Sequence, residues 1–332
     1  MDTLTKPISA PRRRTTADTV YPILLLVSVT HLLNDMMQSV IPAVYPLLKA
    51  KFGFSFAQIG LITLVFQMTS SILQPFVGRY ADRHPRPYSL AAGMCFTLAG
   101  LFALALAPGF APILLAVALI GWGSSIFHPE SSRVAQLASG GRKGLAQSIF
   151  QVGGNAGSAF GPLLAALVVI PYGQTSIMWF APAALLAIGI LLRIGNWYKR
   201  QLNAATAAPV TATAAAAELP RRKIRRALLI LTVLVFSKYF YIACMTNYFT
   251  FFLMDKFAFS VQDAQYSLFA FLAASAAGTV IGGPLGDRIG RKYVIWGSIL
   301  GAAPFALMLP YAGSGSAVAL AILVGLIISS AF

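Results

Sequence analysis

Long apolar runs, punctuated by short clusters of Gly, Pro and charge, set the pattern of this chain. A helix of roughly 20 apolar residues crosses the roughly 30 Å hydrocarbon core of a bilayer. A backbone in lipid must satisfy its own hydrogen bonds, so these runs predict helices. The alternating pattern of β-barrel strands is absent. Taking the polar clusters as punctuation predicts complete spans near 21–47, 56–78, 88–107, 112–137, 144–170, 176–196, 227–253, 262–284 and 293–311. A tenth begins near Ala317 and reaches Phe332. The fold class is all-α and polytopic.

Composition agrees: 58% of the 332 residues are hydrophobic and only 10% are charged. A soluble domain carries roughly a quarter charged residues to cover its surface. Cys95 and Cys244 both lie inside apolar runs without metal-ligand spacing, so both are expected to be packing residues. The basic N-terminal stretch precedes an apolar run too long for a signal peptide and without a small-residue cleavage site, which makes that run the first span.

The net charge of +16 would suggest nucleic acid if it were spread evenly. It is not. Lys6 and Arg12 to Arg14 precede the first span, Arg79, Arg83 and Arg86 follow the second, and Arg142 and Lys143 follow the fourth. Lys199, Arg200 and the cluster from Arg221 to Arg226 lie between the sixth and seventh, and Arg288, Arg291 and Lys292 follow the eighth. The alternate connections carry only Lys49, Lys51 and Lys256. Basic residues accumulate on the cytoplasmic side, so the N-terminus is expected inside, with the charge facing anionic lipid head groups and no nucleic acid as partner.

The chain also repeats. An offset of 205 residues places Gly78, Asp82, Arg83 and Arg86 on Gly283, Asp287, Arg288 and Arg291, and Lys51, Phe52, Phe54 and Ser55 on Lys256, Phe257, Phe259 and Ser260. One unbroken offset over that length predicts two parallel six-helix halves. The resulting division is a tail over 1–20, a first half over 21–197, a low-complexity cytoplasmic linker over 198–226 and a second half from 227. On the same offset, the second half reaches only its fourth helix by Phe332 and is expected to need about 70 further residues.

GRYADRHPRP (78–87) and GPLGDRIGRK (283–292) resemble the cytoplasmic loop signature of the major facilitator superfamily, once per half. GNAGSAFGP (154–162) is similar to the fifth-helix signature of its drug–proton antiporter branch. Within that branch, the segments 31–48, 126–158 and 237–243 resemble bacterial proteins of resistance to phosphonate antibiotics. The resemblance implies the major facilitator fold, a central cavity, a monomer in the bacterial inner membrane, and proton-driven export of a small anionic drug of the fosmidomycin-like phosphonate class. In that family the loops Gly78, Asp82, Arg83, Arg86 and Gly283, Asp287, Arg288, Arg291, Lys292 latch the two halves on the cytoplasmic side.

Charged and strongly polar side chains inside spans are costly, and by default mark a pathway. His31, Asp35 and Gln38 lie at i, i+4 and i+7 on one face of the first span, with Asn34 four residues before Gln38. A buried carboxylate beside an imidazole is a proton carrier or a hydrogen-bonded staple between helices, and both readings are open. In the fourth span His128, Glu130 and Arg133 surround Pro129, with Glu130 and Arg133 spaced to pair, as a gate, a relay or a structural ion pair. The fifth span carries a polar stripe, Gln147, Gln151 and Asn155, and opposite it Gly153, Gly157 and Gly161, ending at Pro162, where another backbone can approach closely. In the seventh span Lys238 lies about 17 Å along the axis from Ala227, with Tyr241 one turn on. Lys238 needs an anionic partner, Asp35 or Glu130, or an anionic substrate. No catalytic triad, nucleotide loop, metal set or cofactor motif is present in the sequence, so a transporter powered by a proton gradient is expected, not an enzyme. An uncoupled facilitator or importer of a small anion, or a fragment that inserts without transporting, are the alternatives.

Overall fold

The structure, a computed structural model, describes residues 18–206 and 220–331, apart from the side chains of Ala205, Thr206, Arg221, Gly283, Asp287 and Arg291. The basic tail with Lys6 and Arg12 to Arg14, the linker centre over 207–219 and Phe332 thus lie outside the described residues. Among the described residues nine helices are long and apolar enough to cross a membrane. They are α1 (Tyr21–Phe52), α2 (Phe56–Arg83), α3 (Ser89–Leu106), α4 (Phe110–Leu137), α5 (Lys143–Tyr172), α6 (Gln174–Ala204), α7 (Arg222–Phe257), α8 (Val261–Gly286) and α9 (Lys292–Tyr311). A shorter apolar helix, α10 (Ser314–Ile328), follows.

Helix does not stop where the apolar run stops. The sixth helix runs to Ala204 and the seventh starts at Arg222, each beyond the span predicted for it. Ala, Lys and Arg are good helix formers, so the helices project past the bilayer-length core as basic stubs. We call the end of the bundle that carries these stubs and the Arg-rich loops the basic end.

The 205-residue repeat is a repeat of helix-starting devices. Ser55 caps α2 by accepting from the Gln58 backbone N–H, and the Gln58 side chain returns the bond. Ser260 caps α8 by accepting from the Asp263 backbone N–H. Lys51 donates to Gln174 Oε1 at 2.8 Å, and its counterpart Lys256 donates to the Pro310 carbonyl. Both halves therefore fasten their end opposite the basic loops with a capped helix start and a lysine strap.

Three breaks in helical regularity shape the interior. Pro42, lacking an N–H, lies at the end of the first stretch of α1, which turns at Val44 and restarts at Tyr45. A π-turn over Met68–Ile72 interrupts α2, and another over Ala165–Val169 interrupts α5 just after Pro162. Such turns shift the register of the side chains beyond them.

The first half is the more densely cored, around Leu24, Val27, Val40, Ile120, Val134 and Leu191. A second cluster around Phe249, Leu253, Leu268, Phe271 and Ala321 fills the other half. Cys95 and Cys244, expected as packing residues, are exposed on the helix surfaces. On a bundle in lipid an outward face is also apolar, so an apolar neighbourhood in sequence did not require burial in protein.

Helices α1 and α5 approach closely, and glycine is what allows it. A Cβ built on Gly153 would collide with the Ser28 carbonyl, one on Gly157 with the Leu32 carbonyl, and one on Gly161 with the Ser39 side chain. Hydrogen bonds join the two halves at the end opposite the basic one: Thr63 Oγ1 to Asn247 Oδ1 at 3.0 Å, Gln265 Nε2 to the Ala43 carbonyl at 2.7 Å, and Gln262 Nε2 to the Ala166 carbonyl at 3.3 Å.

Replacing Gly157 by Leu is expected to force α1 and α5 apart and to cost at least about 1–3 kcal/mol. Thermal unfolding in detergent should show a clear drop in midpoint, whereas Gly189→Ala, where nothing lies within 4 Å, should melt as wild type.

Candidate functional site

Between the halves lies a cavity of about 580 Å³, within the usual range for a small-molecule site. Its first-half wall is polar: His31, Asp35 and Gln38 from α1, His128 from α4, and Gln151 and Asn155 from α5. Among the described residues its second-half wall carries no charged side chain and mixes Ile242, Ala243, Leu272 and Ala276 with Tyr239, Thr246, Asn247, Ser275, Thr279 and Ser329.

The centre of the polar wall is a His–Asp–His cluster. Asp35 Oδ2 lies 3.3 Å from His31 Nε2, and Oδ1 lies 3.4 Å from His128 Nε2. The far nitrogen of each ring meets a backbone carbonyl: His31 Nδ1 is 2.8 Å from Phe150 O, and His128 Nδ1 is 3.0 Å from Ser124 O. A carbonyl can only accept, so both Nδ1 atoms carry hydrogen. The Ser124 hydroxyl, 3.2 Å from His128 Nδ1, adds a second acceptor there. Phe150 also stacks on the His31 ring, with centroids 4.0 Å apart. Asn34 Nδ2 donates to Asp35 Oδ1 at 3.0 Å from behind the cavity wall.

Each Nε2 is therefore aimed at a carboxylate oxygen with its tautomer fixed from the other side. Without protons in those two gaps, lone pair faces lone pair. With protons, the cluster is an ion-paired, hydrogen-bonded unit. Three ligand atoms of His31, Asp35 and His128 also lie within 4.8 Å of one another, a grouping that spacing along the chain did not suggest.

Beside the cluster, two amide donors point nowhere. Gln38 Nε2 and Asn155 Nδ2 are buried and without a hydrogen-bond partner, while Gln151 Nε2 donates to Asn155 Oδ1 at 3.2 Å. A buried unsatisfied donor costs about 1–3 kcal/mol.

Several predicted residues lie elsewhere. Glu130 and Arg133 do not reach the cavity lining. They form a network at the basic end, where Arg133 Nη1 is 3.2 Å from Glu130 Oε1 and donates to the Ala81 carbonyl at 2.7 Å. Arg133 Nη2 bonds the Asp82 carboxylate and reaches the Gly78 carbonyl at 3.4 Å, and Ser89 Oγ donates to Glu130 Oε2 at 3.2 Å. Asp82 is thus held within its own half. At Gly78 an added Cβ would sit an ordinary 3.6 Å from Pro129. Arg83, Arg86, Arg288 and Lys292 are exposed, and the side chains of Gly283, Asp287 and Arg291 lie outside the described residues. Gln147 accepts from Ser132 Oγ at 3.1 Å, away from the lining.

Lys238 is buried and its Nζ donates to the Ala331 carbonyl at 3.0 Å. Asp35 faces the two imidazoles and Glu130 faces Arg133, so neither expected carboxylate is its partner in these ion pairs. Tyr241 packs against the second-half core, and Tyr239 takes the place in the lining.

Residues missed from the sequence include Gln67 and Gln74, on either side of the α2 π-turn, and Ser275 and Thr279 on α8. Amides in the middle of an apolar span were a readable signal for the first pair. Tyr45, Thr63 and Asn247 form the opposite end of the cavity, with Tyr45 Oη 2.9 Å from Thr63 Oγ1.

Residues 27–332 match the profile of the Major Facilitator Superfamily. The chain is 57% identical to the fosmidomycin resistance protein of Escherichia coli strain K12 over 328 residues, covering 98% of this chain and 80% of that protein. It is 43% identical to the uncharacterized MFS-type transporter YfnC of Bacillus subtilis strain 168 over 330 residues, covering 98% and 81%. Among solved structures, a bacterial homolog of the human lysosomal transporter Spinster, inward-facing and occupied, superposes with a TM-score of 0.74 at 15% identity over 95% of this chain and 73% of that one. A D-xylose–proton symporter gives 0.68 at 15% identity over 94% and 80%.

Removing Arg133 leaves the buried Glu130 without its cation, so Arg133→Met is expected to cost on the order of a few kcal/mol. Adding Glu130→Leu should recover most of that loss, giving a strongly non-additive double-mutant cycle by thermal unfolding.

Proposed function

The chain belongs to the major facilitator superfamily, and from that premise we propose that it is a proton-coupled exporter of a small anion, with a fosmidomycin-like phosphonate as the first candidate. It is placed in a bacterial inner membrane with the basic end cytoplasmic, because Lys and Arg accumulate on that side. The phosphonate assignment is supported by the named relative at 57% identity.

The observation that carries the coupling is the pair of tautomer-fixed imidazoles aimed at Asp35 in the cavity wall. The two imidazole nitrogens and two carboxylate oxygens must share protons or receive another hydrogen-bond donor. A phosphonate whose body carries a hydroxyl or N–H group supplies that donor, while its anionic oxygens accept from Gln38 Nε2 and Asn155 Nδ2. Substrate and protons then compete for the same lone pairs. Competition of this kind is what antiport requires: the side that loads substrate releases protons, and protonation from the other side expels it. Rocking of the halves about the cavity alternates its access.

A second reading follows from the same cluster. With a proton in each gap it carries a net positive charge and attracts an anion, so proton and anion would bind together. The two readings predict opposite proton movement.

In proteoliposomes with an imposed pH gradient, wild-type protein should drive phosphonate against its gradient in exchange for protons. Asp35→Asn should lose gradient-driven flux by at least tenfold. Gln38→Leu should weaken apparent affinity about tenfold, as expected for one lost hydrogen bond to a charged group, while leaving coupling intact. Flux of wild type that is indifferent to the pH gradient would refute the antiport reading.

A further inference from the structure

The His31–Asp35–His128 cluster has the form of a transition-metal site as well as a proton site. A four-coordinate zinc ion, with bonds of about 2.0–2.2 Å to nitrogen and oxygen, sets neighbouring ligand atoms about 3.3 Å apart. His31 Nε2 lies 3.3 Å from Asp35 Oδ2 and His128 Nε2 lies 3.4 Å from Oδ1, and one ligand atom from each residue lies within 4.8 Å of the others, so a single ion would have to draw the side chains together. Ligating histidines almost always donate their other N–H to a carbonyl or carboxylate, which fixes the tautomer. Both rings here do so, to Phe150 O at 2.8 Å and Ser124 O at 3.0 Å. Three ligands leave a fourth position, and the cluster lies in the cavity wall where water or an anion could fill it.

We propose that this cluster binds a divalent transition-metal ion of the zinc class, as a competitor for the lone pairs that face one another when the gaps hold no protons. The metal is not a resident cofactor and takes part in no step of transport. Two imidazoles and one carboxylate favour zinc over the harder magnesium and calcium, which prefer all-oxygen shells. The proposal goes beyond the transport reading and stands without it, because metal binding is measured on purified protein in the absence of flux.

The chain has three histidines, and the third, His84, is exposed at the basic end, which supplies a control. Zinc alone is titrated into the detergent-solubilised chain, by calorimetry and by thermal shift, with magnesium in parallel. Wild type and His84→Gln should bind one zinc ion and melt higher with zinc but not with magnesium. His128→Gln and Asp35→Asn should bind at least tenfold more weakly, and each melting curve without zinc reports whether that variant is folded. If His128→Gln fails to fold, Asp35→Asn decides. Zinc binding that disappears with His84→Gln, that survives in the folded cluster variants, or that is absent from wild type would overturn the proposal. A wild type that binds zinc yet exchanges no protons in liposomes would overturn only the antiport.

Discussion

Two backbone carbonyls decide what the centre of this protein can do. Phe150 O and Ser124 O each hold the Nδ1–H of a histidine, and so turn both Nε2 atoms toward one carboxylate. Inside a membrane bundle such a cluster is stable only when something electron-deficient fills the gaps. The cavity, the adjacent unpartnered amides of Gln38 and Asn155, and the reading of exchange all depend on that constraint.

The constraint in turn depends on how closely two helices approach. Phe150 lies on α5 and His31 on α1, and the carbonyl reaches the ring because Gly153, Gly157 and Gly161 let the backbones meet. Gly154 lies directly against the cluster, where an added Cβ would strike His31 and come 2.9 Å from Asp35 Oδ2. Packing and the His31 tautomer are therefore set by one helix pair, while Ser124 fixes the His128 tautomer within α4. The strap at Lys51, the bonds from Gln265 and Thr63 to the other half, and the Arg133 network at the basic end hold the frame around it.

Spans, halves and the His31–Asp35 pair were legible, because apolar runs, a long unbroken repeat and an i, i+4 spacing survive any detail of packing. The residues around them were read less well, and twice for the same reason. His128 and Glu130 are two residues apart, as are Tyr239 and Tyr241, and two residues along a helix is a turn of about 200°. His128 accordingly faces the cavity while Glu130 turns to Arg133 and Ser89, and Tyr239 lines the cavity while Tyr241 packs in the core. Gln67 and Gln74 escaped because the π-turn between them resets the helical register, and no residue in MTSSI announces such a turn. Arg133 is held by Asp82 and Glu130, and Lys238 bonds the Ala331 carbonyl. The cavity lining itself carries Asp35, two imidazoles and neutral polar groups.

The central claim is that substrate and protons contend for the lone pairs of His31, Asp35 and His128. Counting protons as a phosphonate binds to the purified chain, in weakly buffered detergent with a pH-indicating dye, tests it most directly. Wild type is expected to release protons on binding, and Asp35→Asn to release none. Uptake of protons on binding, or no change in wild type despite binding, would contradict it.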